Sequence, residues 1–293
     1  MKKAFNKLKK IAKSVITNSN ILSFIRRRYW LIKETFRYKK YRNKYNKTEN
    51  RMKILSLKDK YKGKRCFVIG NGPSLNSNDL EKLKDEFTFA ANRIWLMFDK
   101  TLWRPSFYFC QDRQMIRGEY SRICDYDFPV FLSYNSITEF SLEVENAICY
   151  LCDKRPLIKY GKSMPFSTCC DKYIIDGTTV TYSSIQFAMY MGFSEIYLLG
   201  VDNNFEYQMD KNRRIVRNLG VNKTYFDDRY KDVYNQFGQG DNKKFGVTDP
   251  VMNEMIYSSA KKEAELRGVK IYNATRGGKL EVFERKDFDS IVK

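Results

Sequence analysis

In the stretch RCFVIGNGPSLNSNDL, Arg65 to Leu80, an apolar run breaks into Gly70-Asn71-Gly72-Pro73-Ser74 and resumes as a polar, helix-patterned segment. Glycines between a strand and a helix let the backbone approach a ligand and expose N–H groups, and a helix start favours negative charge; together these suit a phosphate. The turn is not G-x-G-x-x-G, because Leu75 stands where the third glycine belongs, and it lacks the Gly-Lys-Ser/Thr ending of a Walker loop. Pro73 removes one donor, so spacing alone leaves a phosphate turn and a plain strand-to-helix turn both open. Polar residues close three further apolar runs: Asn92-Arg93, Gln111-Asp112-Arg113, and Asp202-Asn203-Asn204 after Gly200-Val201. An amide can read a base or ribose, an arginine can hold a phosphate, and a carboxylate can bind a hydroxyl or take its proton. Capping and turn chemistry is the competing reading of each.

The chain contains no histidine. Ser-His-Asp and Cys-His nucleophile systems and histidine-bound metals are thereby excluded, and acid–base work falls to Asp, Glu, Tyr, Lys or Cys. The seven cysteines are scattered through apolar segments, which fits a reducing compartment and small buried hydrophobes better than a disulfide framework. Cys149, Cys152, Cys169 and Cys170 are poorly spaced for a zinc site, so no metal site is expected.

These residues need a scaffold that gathers strand ends. Strand-length runs are expected at Cys66–Ile69, Thr88–Ala91, Ser106–Cys110, Val130–Ser133, Ile148–Leu151, Ile196–Gly200 and Lys270–Asn273, alternating with helix-patterned segments. Thr179 to Met191 reads as a buried helix stopped by Gly192, and Asp249-Pro250 as the N-cap and first turn of a helix ending near Gly268. This alternation predicts a doubly wound α/β domain, a mostly parallel sheet covered by helices on both faces, spanning 64–293. Residues 203–248 lack a sustained period and read as a lid or substrate-binding excursion, with a surface insertion or oligomer contact as the alternative.

Hydrophobic residues at 43% and aromatics at 15% indicate a globular chain of 293 residues, long enough to bury a substantial core. Of the net charge of +20, residues 1–50 carry +14, from 16 Lys/Arg against Glu34 and Glu49. Residues 1–16 pattern as a basic amphipathic helix, and a second segment places Ile21, Leu22, Ile25, Tyr29, Ile32 and Phe36 on one stripe among Arg and Lys. Residues 1–50 thus read as a basic helical arm, docking through 1–40 on a membrane surface or packing on the domain or another subunit. No nucleic-acid module accompanies it. No run approaches a spanning helix and no secretory signal is evident, so a cytoplasmic, membrane-peripheral location is expected.

Ile69-Gly-Asn-Gly-Pro-Ser-Leu75, Ala91-Asn92-Arg93, Thr178-Thr-Val-Thr-Tyr182, Met191-Gly-Phe-Ser-Glu-Ile-Tyr-Leu-Leu-Gly-Val-Asp202 and Val269-Lys-Ile-Tyr-Asn-Ala-Thr275 resemble the family of archaeal 6-hydroxymethylpterin diphosphokinase and bacterial motility accessory factors. The same blocks are similar to bacterial sialyltransferases that build lipooligosaccharide. That resemblance implies a Rossmann-like domain binding a CMP-activated sugar without a required metal or cofactor, and a glycan or glycolipid acceptor. It implies nucleotide or donor contacts at Gly70, Asn71, Gly72 and Asn92, with Gln111 or Asp112 nearby; Ser74, Arg93, Thr179 and Thr181 complete the expected set. The sialyltransferases carry a Ser-Gly pair where this chain has Val180-Thr181, and a histidine base that this chain lacks. Asp202, Asp227 or Asp228 are the replacement bases, and Tyr207 and Tyr225 the leaving-group donors. The diphosphokinase alternative transfers pyrophosphate from ATP and would hold Mg²⁺ on the same aspartates. A non-catalytic nucleotide-binding scaffold is the third reading.

Overall fold

A computed structural model of the chain describes residues 20–159, 163–210, 214–232 and 247–292. The expected helix over 1–16 lies outside them, as do 211–213 and 233–246 of the excursion. The described helices are α1 (Asn20–Tyr45), α2 (Asn50–Leu55), α3 (Ser77–Glu81), α4 (Arg113–Gly118), α5 (Tyr120–Cys124), α6 (Tyr134–Phe140), α7 (Arg155–Lys159), α8 (Val180–Tyr190), α9 (Pro250–Leu266) and α10 (Phe288–Ile291).

Eight strands form the main sheet: β1 (Arg65–Ile69), β2 (Phe87–Ala91), β3 (Phe107–Cys110), β4 (Val130–Ser133), β5 (Ala147–Tyr150), β8 (Glu195–Leu199), β11 (Lys270–Asn273) and β12 (Glu284–Arg285). Their order is β12-β11-β8-β1-β2-β3-β4-β5, and every pairing is parallel. The chain winds outward from β1 to β5, then returns to lay β8 on the other side of β1. The strand order reverses there, and the carboxyl ends of β1 and β8 frame the crevice where such sheets place ligands. The seven expected strands are all present, within a residue of their expected ends.

Alternate residues of each strand serve opposite cores. Cys66, Val68, Phe89, Phe109 and Phe131 pack with residues of α1, α8 and α9, while Phe67, Ile69, Tyr108, Cys110 and Leu132 pack with Leu80, Met115, Ile116 and Phe288. Burial on both faces is why these runs are continuously apolar rather than alternating. α8 is capped by the Thr179 side chain, and α9 by Asp249 with Pro250 in the first turn. β6 (Cys152–Asp153) and β7 (Ile174–Ile175) form a separate parallel pair. The buried Gln186 amide ties that pair to α8, accepting from the Ile175 and Ser167 N–H groups and donating to the Ile175 carbonyl.

Two regions sharpen the sequence reading: of the alternatives for the arm, α1 packs on the domain, which moves the domain boundary. The packed domain begins before residue 64: Tyr38, Tyr41 and Tyr45 of α1 and Ile54 of α2 are buried in the core, and Asn50 accepts from the Cys149 N–H on the edge strand β5. Burial of tyrosine rings spaced among lysines produces this, a face that the basic composition hides. The described part of the excursion is not structureless either, holding an antiparallel ribbon of β9 (Tyr207–Met209) and β10 (Ile215–Arg217) and a 3-10 turn at Asp228–Lys231.

Candidate active site cleft

A cleft of about 630 Å³ opens at the carboxyl ends of β1 and β8, within the usual size of small-molecule sites. Gly70, Asn71, Gly72, Asn92, Gln111, Asp112, Thr179, Thr181, Asp202 and Tyr225 line it. Ser74, Arg93, Tyr207, Asp227 and Asp228 do not.

The glycines act differently from the expected phosphate nest. The Gly70 N–H donates to the Leu199 carbonyl at 2.7 Å and the Gly72 N–H to the Gly200 carbonyl at 2.9 Å. A Cβ on Gly70 would stand 2.3 Å from the Gly200 carbonyl oxygen, and one on Gly72 would stand 1.9 Å from Asp202 Oδ2. The turn is glycine-rich because it presses against the end of β8, so these N–H groups are spent on protein. α3 adds nothing to a nest, since it begins only at Ser77 and its start is capped by Asn76.

The amides are oriented by their surroundings. Asn71 Nδ2 donates to the Ala91 carbonyl at 3.0 Å and to the Tyr230 hydroxyl at 3.2 Å, which fixes the amide and leaves Oδ1 a buried acceptor without a protein partner. Gln111 Oε1 accepts from the Ser183 hydroxyl at 2.6 Å, which turns its NH₂ into the donor on offer. Asn92 and Asn203 adopt φ of 54° and 50°, and Thr178, a β-branched residue ill-suited to that region, adopts 68°. Three of the five described non-glycine residues with positive φ thus line one cleft, a clustering expected of functional backbone.

Three carboxylates and one ammonium set the charge of the described lining: Asp112, Asp176, Asp202 and Lys154. Asp112 caps α4, accepting from the Gln114 and Met115 N–H groups. Asp176 accepts from the Thr178 N–H and lies 3.5 Å from Lys154 Nζ, and its charge raises the lysine pKa, so the cation persists. Asp202 is 7% exposed and accepts from the Ser74 hydroxyl at 2.8 Å. Burial raises its carboxyl above the ordinary range, against the lowering effect of Ser74. Ser74 therefore positions Asp202 from behind rather than facing the cleft. Tyr225 stacks on Tyr230 with ring centroids 3.9 Å apart, and burial raises both phenols, keeping them proton donors. Tyr257 meets Thr179 and Thr181 at the start of α8, its phenol pushed up to about 12 by burial.

The remaining expected site residues have other surroundings. Arg93, expected to hold a phosphate, is buried against Glu119 at 2.7 Å and donates to the Arg229 carbonyl. Asp227 caps the Asp228–Lys231 turn and pairs with Arg229 and Lys100; the Arg229 hydrogen bond holds its carboxyl well below the usual range. Asp228 is solvent-exposed, 3.8 Å from Lys223, and Tyr207 is a ribbon residue paired with Arg217. Lys154, Asp176, Tyr230 and Tyr257 went unread in the sequence. Lys154 and Asp176 follow two-residue strands, too short for a period; their one signal is that a charged residue ends a short apolar run. All seven cysteines are free thiols, and among the described residues no group of three or more Cys, Asp or Glu is arranged to hold a metal ion.

The family model described as 6-hydroxymethylpterin diphosphokinase MptE-like matches residues 39–208, a region that begins beside the first buried tyrosine of α1 and ends beyond the carboxyl end of β8. No curated protein matches the chain. Among solved structures, a MAf glycosyltransferase from Magnetospirillum magneticum is similar at 15% identity over 83% of this chain and 38% of its own, with a TM-score of 0.46. The chain thus spans well under half the length of that protein. The monofunctional α-2,3-sialyltransferase Cst-I from Campylobacter jejuni is similar at 15% identity over 72% of this chain and 75% of its own, TM-score 0.44. The sialyltransferase CstII from Campylobacter jejuni, in complex with the substrate analogue CMP-3FNeuAc, is similar at 16% identity over 76% and 85%, TM-score 0.44. At these values the likeness assigns no chemistry to this chain.

Proposed function

The chain belongs to the 6-hydroxymethylpterin diphosphokinase MptE-like family, and on that premise we propose that it is a glycosyltransferase whose cleft takes a sugar activated on a nucleoside monophosphate, cytidine monophosphate in the first instance. The observation that carries this reading is the inventory of the cleft. A buried amide acceptor, Asn71 Oδ1, and an oriented amide donor, Gln111 Nε2, suit the mixed edge of a base or its ribose. Lys154, held by Asp176, is the one ammonium among the described lining residues and supplies a single cationic donor for a single phosphate.

In this reading Lys154 lies against the donor phosphate. The acceptor hydroxyl oxygen attacks the anomeric carbon, and its proton passes to Asp202, whose raised pKa makes it a better base near neutrality than an ordinary aspartate. The bond from that carbon to the phosphate oxygen breaks, and the nucleotide leaves as the monophosphate. Lys154 and the Tyr225 hydroxyl stabilise the charge that develops on it.

The second reading is the diphosphokinase activity in the family's description. The Mg²⁺ that pyrophosphate transfer from ATP requires finds no grouped ligand set here: among the described residues no three Cys, Asp or Glu are arranged to hold a metal ion, and Asp112, Asp176 and Asp202 are each oriented by a different partner, the α4 start, Lys154 and Ser74. The two readings differ in product. Incubation with CMP-, UDP- and GDP-activated sugars together with a glycan acceptor, and separately with ATP, Mg²⁺ and 6-hydroxymethylpterin as the pyrophosphate acceptor, is expected to release CMP and no AMP. Release of AMP alone supports the diphosphokinase, and no turnover of any donor supports a nucleotide-binding scaffold.

A further inference from the structure

α1 is apolar on two opposite sides. At about 100° per residue, Tyr38, Tyr41 and Tyr45 share the side buried in the core, and Ile25, Tyr29, Ile32 and Phe36 fall within a narrow arc on the side facing away. Those four are 54, 59, 57 and 69% exposed. Burial of such side chains is ordinarily favourable, so a contiguous exposed row of them marks an interaction surface. The same geometry places Arg26, Lys33 and Lys40 along one flank of the row and Arg28 and Lys39 along the other, all exposed. Trp30, beside Tyr29 and under the Lys33 ammonium, is a third exposed aromatic, on the flank beyond Lys33.

The helix also lies next to the cleft. It packs on α6 and α7, with the Arg155 guanidinium 4.0 Å over the Tyr38 ring. Leu157 of α7 and the preceding Lys154 line the cleft, and the Glu34 carboxylate of α1 lies in electrostatic range of Lys154, Asp153 and Asp176. One helix therefore separates the bare face from the site.

We propose that this face of α1 lies in the headgroup layer of an anionic membrane, and that the cleft beside it serves an acceptor carried on a lipid. An apolar row between two cationic rows matches a bilayer, which offers hydrocarbon in the middle and phosphate on either side. A second copy of the same face would set cation against cation, and nucleic acid has no use for the apolar row. No described helix is long and apolar enough to cross a membrane, so the described face of α1 is offered to the membrane surface. The acceptor half of the proposal rests on the transferase reading; the membrane half does not.

Flotation of the full chain with phosphatidylcholine vesicles, with and without phosphatidylglycerol, tests it. The native protein is expected to float only with the anionic vesicles, and less so as salt is raised. The variant Ile25→Ser/Tyr29→Ser/Ile32→Ser/Phe36→Ser is expected to lose at least tenfold in binding while keeping its Tm and its release of CMP from a donor in free solution. If the native chain stays unbound to anionic vesicles, or the variant floats like the native protein, the membrane half is wrong. A variant that turns a dimer into a monomer without changing flotation assigns the face to a second copy instead. Native flotation with transfer to a water-soluble acceptor equal to that to a lipid-linked one overturns the acceptor half alone.

Discussion

Asp202 joins burial, a fixed hydrogen bond and a position in the cleft, and it gives the sharpest prediction at the scale of single residues. Its raised carboxyl binds a proton more tightly in the folded chain than in the unfolded one. Its contribution to stability is therefore full below the unfolded value and lost as pH rises through the folded value. Asp202→Asn, neutral throughout, is expected to leave the Tm at pH 7 no lower than native while transfer falls about 10²- to 10⁴-fold. In the native enzyme the acid limb of the rate profile is expected above 3.8, the ordinary value for this group. A limb at or below that value would remove Asp202 as the base. Gly72→Ala is expected to cost about 1–3 kcal/mol by overpacking, because its Cβ meets Asp202 Oδ2; chemical denaturation measures this. Glu119→Ala strips the partner from Arg93, which is 7% exposed on its side chain, and is expected to cost about 3–5 kcal/mol with nucleotide affinity unchanged. A loss of affinity without a loss of stability would return Arg93 to the site.

At the scale of elements, legibility followed length and face. Val130–Ser133 and Lys270–Asn273 were read with the bounds they have, because a short buried apolar run, Val130-Phe131-Leu132 in one and Ile271-Tyr272 in the other, is closed by a polar residue, Ser133 or Asn273. β6 and β7 are two residues each and leave no pattern, which is why the Lys154–Asp176 pair that follows them stayed hidden. In α1 the apolar row from Ile25 to Phe36 was legible, but the packed side is three tyrosines, whose mix of ring and hydroxyl suits core and surface alike. The composition of the arm could not say which side is packed. The Gly70-Asn71-Gly72 turn was legible as a special turn, and its reason was not, since the partner that demands glycine is 130 residues away in sequence. Gln186 offers a test of how the β6–β7 pair is held. Gln186→Leu leaves the Ile175 and Ser167 amides unbonded and is expected to cost about 1–3 kcal/mol for each group left unsatisfied. Hydrogen exchange at the Ile175 amide is expected to quicken before that of the main sheet; unchanged protection would mean the pair is held by its own ladder.

Over the whole molecule, charge and topology divide the labour. Residues 1–50 carry most of the net charge of +20, whereas the described cleft lining holds more carboxylates than ammonium groups. The basic character thus lies on the arm, away from the residues that line the cleft. The cleft sits where the winding of the sheet reverses, so its walls come from segments that are distant in sequence; the strand ends, Thr179, Thr181 and Tyr225 among them were readable in advance. The excursion supplies Thr224, Tyr225 and Tyr230 to one wall, joined to the opening turn by the Phe226 N–H on the Asn71 carbonyl at 3.2 Å.

A cleft that takes a sugar on a nucleoside monophosphate must also bind the free nucleotide, and thermal unfolding of the full chain reads that binding out. CMP in the presence of EDTA is expected to raise the Tm, by an increment equivalent to about 2.7 kcal/mol at a hundredfold excess over Kd. Asn71→Ala and Lys154→Met are expected to lose most of that shift. Stabilisation by ATP only when Mg²⁺ is supplied, with none by CMP, would contradict the transferase reading.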